Sequence, residues 1–190
     1  MKRITKISLF AIGLVVLVGL TGIVPGFPSL APAVQADTEE TLTLDVAIDC
    51  RTFNFNRGIS EDQFVRGDSF IANGTIFRGG TLLPGAQSND PNASGSIGDF
   101  IEHGTMAATL AEIIAGKRPA FVANWLHLLK DGRGLVADGP HPDSGPMAVV
   151  GGMGGFSGAS GEVIVEIIGT NNTGCPNVRS TFHLKKQAPK

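Results

Sequence analysis

The sequence predicts an all-β fold, an antiparallel barrel or sandwich of about six to eight strands, and three observations lead there. Apolar and polar residues alternate with period two along most of the apolar segments, as in strands whose two faces meet different surroundings. Clusters of Gly, Pro, Asn and Asp separate these segments and read as turns. No stretch sustains a helical period over three turns, so the strands connect as antiparallel neighbours.

In the first strand, "TLTLDVAID", Leu42, Leu44, Val46 and Ile48 share one face and Thr41, Thr43, Asp45 and Asp49 the other, which makes it half-buried. "GDSFIANGTIF" sets Phe70, Ala72 and Ile76 against Ile71, Asn73, Thr75 and Phe77, with Gly74 at a bulge or bend. Residues 78–98, rich in Gly, Pro, Asn, Asp and Ser, read as a long surface loop. "DFIEHGTM" is a third strand, and "AATLAEIIAGKR" has the composition of a short helix or irregular crossover ending at Gly116. In "PAFVANWLHLLKDGRGLVADG" two apolar runs flank Asp131-Gly132, a dipeptide favoured in β-hairpins. "GEVIVEIIG" places Val163, Val165 and Ile167 opposite Glu162, Ile164, Glu166 and Ile168, and "STFHLKK" is an edge or closing strand. No internal repeat recurs at a fixed period.

Residues 1–36 read as an export signal: Lys2, Arg3 and Lys6 precede an apolar core from Ile7 to Val24, and Val34-Gln35-Ala36 offers a small-residue cleavage site. The apolar run is near the lower length limit for a spanning helix, which leaves an uncleaved anchor as the alternative. The expected mature chain, residues 37–190, is one domain with room for a single core, secreted or periplasmic and not inserted in a membrane once the signal is removed. It carries 12 Lys and Arg against 17 Asp and Glu, with no basic cluster in the sequence before Lys185-Lys186, so nucleic acid is excluded as a partner. Cys50 and Cys175 are the only cysteines. Export favours a disulfide between them over two buried thiols, and closing a loop of about 125 residues stabilises by roughly 4 to 5 kcal/mol at most.

"VVGGMGGFSGASGEVIVE" (149–166) begins like a dinucleotide fingerprint at Gly152, Met153 and Gly154. That fingerprint needs a glycine at its sixth position and a helix after it; this chain has Ser157 and a β-branched alternating run. The Gly-Lys-Ser/Thr of a Walker loop is absent as well. The glycines instead suit a sharp corner between two strands, with Val149-Val150 ending one, Gly151 to Gly155 turning, Phe156 plugging inward and Gly161-Glu162 starting the next.

With these residues in view, "VVGGMGGFSGASGEV" resembles the V-V-G-G-T-G-x-F-x-x-A-R-G segment of dirigent proteins and their relatives in the allene oxide cyclase barrel-like superfamily. "GDSFIANGTIF", the hairpin and "GTNNTGCPNVRSTFHL" are similar more loosely, so the resemblance covers most of 45–184. It implies a closed antiparallel eight-stranded barrel with a central cavity, a homotrimer, and a terminal disulfide that agrees with Cys50 and Cys175. It also implies a small apolar organic ligand and no cofactor. Relatives steer phenoxy-radical coupling, cyclise a lipid epoxide or close rings, all by holding a reactive molecule in one conformation. The expected role is a cofactor-independent cyclase, isomerase or stereochemical guide; the alternatives are a non-catalytic carrier and a secreted structural or interaction protein. Two departures stand out: Ser160 replaces the arginine of A-R-G and Met153 the threonine of G-G-T-G, and the chain has no tyrosine to serve as a cavity donor.

The candidate ligand-binding residues are Trp125, His127, Asn73, Glu102 and Phe156. Trp125 and His127 share a face with Phe121, Ala123 and Leu129, and that face either lines a cavity or packs as core. Glu102 and His103 are adjacent on a strand, so only one of them points into a barrel. Asp138, His141 and Asp143 read as an exposed proline-rich turn more than as a metal site, and no metal is expected. His183, Glu162 and Glu166 read as outward, and no serine elbow or free thiol offers a nucleophile. Asn73, Asn92 and Asn171 each begin a glycosylation sequon.

Overall fold

The computed structural model describes residues 38–56, 65–85, 89–117, 119–140 and 145–186; the expected export signal and the pair His141 and Asp143 lie outside them. Eight strands follow in chain order: β1 (Thr38–Asn56), β2 (Ser69–Arg78), β3 (Gly98–Met106), β4 (Phe121–Leu129), β5 (Gly134–Pro140), β6 (Met147–Met153), β7 (Ala159–Thr170) and β8 (Pro176–Lys186). Each pairs antiparallel with the next, and β8 pairs with β1, so the sheet closes into a barrel. β1 is the closing strand: Leu44 lies opposite Arg78 on β2 and opposite Ser180 on β8. Closure removes the unpaired edges an open sheet would present. A single helical turn, α1 (Leu110–Ile114), connects β3 to β4, with Thr109 and Glu112 forming a capping box.

Alternation decides what enters the barrel. Leu44, Val46 and Ile48 of β1, Ala72 and Ile76 of β2, Phe100 of β3, Ala123, Trp125 and Leu129 of β4, and Val178, Phe182 and Leu184 of β8 are all buried in one cluster. Glu102, His127 and Ser180 occupy inward positions in the same alternation and are buried with them.

β1 is buried on both faces and not on one. Asp45 and Ala47, on its outer side, are fully buried because the segment after β2 folds back over them. Ala47, Phe77, Leu82 and Ile168 form a second small core there. Arg179 donates from Nε to Asp45 Oδ1 at 2.8 Å and from Nη2 to Oδ2 at 3.2 Å, and the Leu82 N–H donates to Oδ2 at 2.9 Å. A surface loop thus doubles as a lid on the sheet, which alternation within β1 alone does not reveal.

β1 also runs past Asp49 to Asn56, through an irregularity between Asp49 and Asn54. Thr52 stitches the irregularity: its Oγ1 donates to Asp49 O and accepts from the Asn73 N–H. The disulfide Cys50–Cys175, with Cα atoms 5.2 Å apart, joins this bend to the turn between β7 and β8. Thr173 Oγ1 in that turn accepts from the Cys50 N–H at 3.0 Å.

The glycine-rich corner sits later than the sequence suggests. β6 continues through Gly151 and Gly152 to Met153, pairing with β5, while its pairing with β7 covers only Met147, Ala148 and Val149. The corner is the 3₁₀ turn Gly154–Phe156, and Phe156, 1% exposed, fills the gap where β6 leaves β7. A side chain at Gly152 would run into the Phe156 backbone, so this close approach requires glycine. The Asp131-Gly132 hairpin forms as expected, but only Gly132 has positive φ, at 84°. The Gly132 N–H donates to Leu129 O and the Leu129 N–H to Arg133 O, a type I turn followed by a left-handed glycine.

Replacing both cysteines with alanine should lower the unfolding free energy by about 2–5 kcal/mol, read from the denaturant midpoint. An unchanged midpoint would mean that Thr52 and Thr173 hold the bend unaided. Arg179→Met should cost about 3 kcal/mol by stranding the buried Asp45 carboxylate, and Asp45→Asn with Arg179→Met should cost less than Arg179→Met alone.

Candidate functional site

Register sets inward levels along β3 and β4, the first three being Gly98 opposite Leu129, Phe100 opposite His127, and Glu102 opposite Trp125. At the third level the barrel holds a cavity of about 180 Å³. Glu102 and Trp125 form its polar wall, Ile48, Phe121 and Val178 are among its apolar sides, and Phe53, Ile167 and Pro176 complete the lining. Ile167 is 54% exposed, so the cavity reaches solvent on its side. Phe53, Phe55 and Phe121 pack ring against ring around Phe70, with Phe53 and Phe70 centroids 5.5 Å apart.

Glu102 is 3% exposed, and Trp125 Nε1–H donates to its Oε1 at 3.0 Å. The carboxyl makes no other hydrogen bond among the described residues, so Oε2 has no partner among them. Burial pushes the Glu102 carboxyl up to about 7, because apolar surroundings disfavour its charged form, while the Trp125 hydrogen bond pulls it the other way. A carboxyl with that value populates donor and acceptor forms together near neutral pH.

His127, one level deeper, does not line the cavity. Its ring packs edge-on against Phe100 and Phe182, with centroids 5.1 and 5.0 Å away, and neither nitrogen has a hydrogen-bond partner among the described residues. Burial pulls it down to about 3, so it is neutral at any ordinary pH. Ser180 Oγ, also inside the barrel, lacks a partner among the described residues as well.

Of the five candidate ligand residues, Glu102 and Trp125 meet at the cavity, and His127 adjoins Trp125 in the ring layer with centroids 6.2 Å apart. Phe156 is buried at the β6–β7 corner, away from the cavity lining, with Arg133 over its ring. Asn73 is exposed on the outer face of β2, opposite Ile101, and does not join them. His103, Glu162, Glu166 and His183 are exposed, and so is Asp138, which lies on β5 and not in a turn. Asn171 is 3% exposed and its amide donates to Ile48 O and Asn177 Oδ1, which removes this sequon from the surface. No metal-binding cluster occurs among the described residues. Sequence reasoning missed Phe53, Pro176 and Val178. Phe53 lies within the irregularity in β1, where the period-two signal breaks, and the other two face the cavity only through the β7–β8 register.

Glu102 and His127 act on stability in opposite directions. Glu102 binds a proton more tightly folded than unfolded, so its contribution falls as pH rises from about 4.5 to about 7. His127 binds a proton less tightly folded, so its contribution rises with pH from about 3 to about 6.5. The two nearly cancel over their shared range. Glu102→Gln should expose the histidine, with stability climbing about 1.4 kcal/mol per pH unit towards pH 6.5. His127→Phe should expose the carboxyl and give the reverse slope; flat profiles in both variants would refute the assignment.

No family model matches the chain, and no curated protein sequence does either. Solved structures do. One pterocarpan synthase dirigent protein is 15% identical, covering 82% of this chain and 99% of its own, with a TM-score of 0.57. A second is 13% identical, covering 82% and 89%, also at 0.57. A pyocyanin demethylase is 17% identical, covering 76% and 99%, at 0.49. At these identities the likeness is one of fold: the chain is a dirigent-like barrel, closed from eight antiparallel strands.

Proposed function

We propose that the barrel holds a small, largely apolar organic molecule in the Glu102–Trp125 cavity and cyclises or isomerises it without a cofactor. The observation that carries this reading is a carboxyl 3% exposed in an apolar enclosure, held on one oxygen by Trp125 and open on the other. Buried ionisable groups in clefts are disfavoured for stability and concentrate where chemistry is done. A cavity of about 180 Å³ lies below the roughly 300–1,000 Å³ of drug-sized sites, so it takes one ring or one end of a longer molecule.

In this reading the apolar walls fix the substrate's conformation, and Glu102 moves the proton. The protonated carboxyl gives its proton to a substrate oxygen as a carbon–oxygen bond opens or a ring closes. The resulting carboxylate takes a proton from the rearranged molecule. The net change is isomerisation, with no oxidant or second substrate consumed. The pterocarpan synthase dirigents, named for making a cyclic product, support the reaction class by fold alone.

Export and trimer assembly belong to the same reading. Export is supported by Lys2, Arg3, Lys6 and the apolar run that follows, and by a disulfide that persists in oxidising compartments. Trimer formation is supported by outer-face apolar side chains, Ile71 at 41%, Val122 at 45% and Val150 at 58% exposed. Sedimentation at the mass of one chain would remove the trimer.

Trp125 is the only tryptophan, so its fluorescence reports directly on the cavity. Titration with 2-naphthol and with small neutral terpenoids should change Trp125 emission saturably. Glu102→Gln, which keeps the shape, should preserve binding within about threefold yet abolish turnover of any compound the parent protein rearranges. Binding without turnover in both proteins would identify a carrier, and no emission change with any compound would refute the cavity as a ligand site.

A further inference from the structure

The opposite mouth of the barrel holds a second pocket. There Leu42, Leu44, Ile97 and Leu129 floor an open pocket of about 580 Å³, with Arg78, Lys130 and Arg133 at its rim. Arg78 lies opposite Leu44 in the β1–β2 register and therefore leans to the same inward side. The Arg78 side chain makes no hydrogen bond or ion pair among the described residues. The other two cations are held in place. Lys130 Nζ donates to Ser96 O and Oγ, and Arg133 donates from Nε to Asp131 Oδ2 at 2.9 Å while its guanidinium sits 5.0 Å from the Phe156 ring centroid. Asp131 offsets Arg133, which leaves Arg78 and Lys130 as surplus positive charge on a domain whose overall charge is negative.

This pocket does not communicate with the Glu102 cavity. Between the two levels lie Phe100, His127 and Phe182, each at most 1% exposed and packed ring to ring. A molecule at one mouth is separated from the other by a filled layer.

The geometry points to a second binding site for a free, medium-chain amphiphile with one carboxylate, its headgroup on Arg78 beside Lys130 and its chain on the leucine and isoleucine floor. Guanidinium takes a carboxylate through two parallel N–H donors, the arrangement an unpaired arginine at an apolar rim is free to form. Lys130 adds charge without geometry. The floor is concave and set within the barrel mouth, which suits a single short chain and not a bilayer surface.

Decanoate, decanol and decyltrimethylammonium, titrated into the intact protein by calorimetry, test this directly. Decanoate should bind at least about tenfold more tightly than decanol, the ammonium should bind more weakly still, and raising sodium chloride to about 0.5 M should weaken decanoate alone. Arg78→Gln, at an exposed position outside the core, should reduce decanoate affinity about tenfold and leave decanol unchanged. Glu102→Gln should change neither, because the ring layer separates the sites. Equal affinity for decanoate and decanol, an unaffected Arg78→Gln variant, or loss of decanoate binding in Glu102→Gln would overturn the proposal. Tight binding to phosphatidylglycerol vesicles with no binding of free decanoate would overturn it too, in favour of a membrane surface.

Discussion

Every feature of this molecule hangs on β1 pairing along both of its edges. Hydrogen-bonded to β2 on one side and β8 on the other, it turns a meander into a closed barrel and makes an inside for alternation to fill. Its own outer face would weaken that arrangement, since Asp45 lies there, fully buried. The Arg179 guanidinium and the Leu82 backbone satisfy the carboxylate, and the disulfide at Cys50 fastens the strand's bend to the turn before β8. The strand that closes the barrel is thus the one most heavily tied down.

Closure also creates the electrostatic problem that gives the lumen its chemistry. A carboxyl and an imidazole facing inward lose water, and with no charged partner each is driven towards its neutral form, the carboxyl upward and the imidazole downward. Their outcomes differ because their neighbours differ. Glu102 has an indole N–H on one oxygen and open space at the other; His127 has aromatic rings. Only the first lines the cavity.

The same ring layer divides the barrel into two pockets of contrasting character. One is apolar and narrow, with a single titratable carboxyl; the other is wider and rimmed by cations. Short-range packing at one level of the interior, with Phe100 opposite His127, is what separates them.

Period-two alternation was enough to predict an antiparallel all-β chain, to put Glu102 and His103 on opposite faces, and to set Trp125 and His127 on one face. The glycine segment pointed to the barrel fold, and the two cysteines to each other. Three things stayed beyond it. Asp45 reads as a solvent-facing residue, and only the fold-back of the loop after β2 buries it. The cysteine-bearing end of β1 breaks its period at a bend, which hid Phe53. Trp125 and His127 are indistinguishable by face, yet one lines a void and the other fills a layer. Alternation along a chain determines the face a side chain occupies, whereas its height along the barrel, and so its neighbours, follows from register between strands distant in sequence. That register brings Glu102 to Trp125 and gathers Arg78, Lys130 and Arg133 at one mouth, and only the closed tertiary structure decides it.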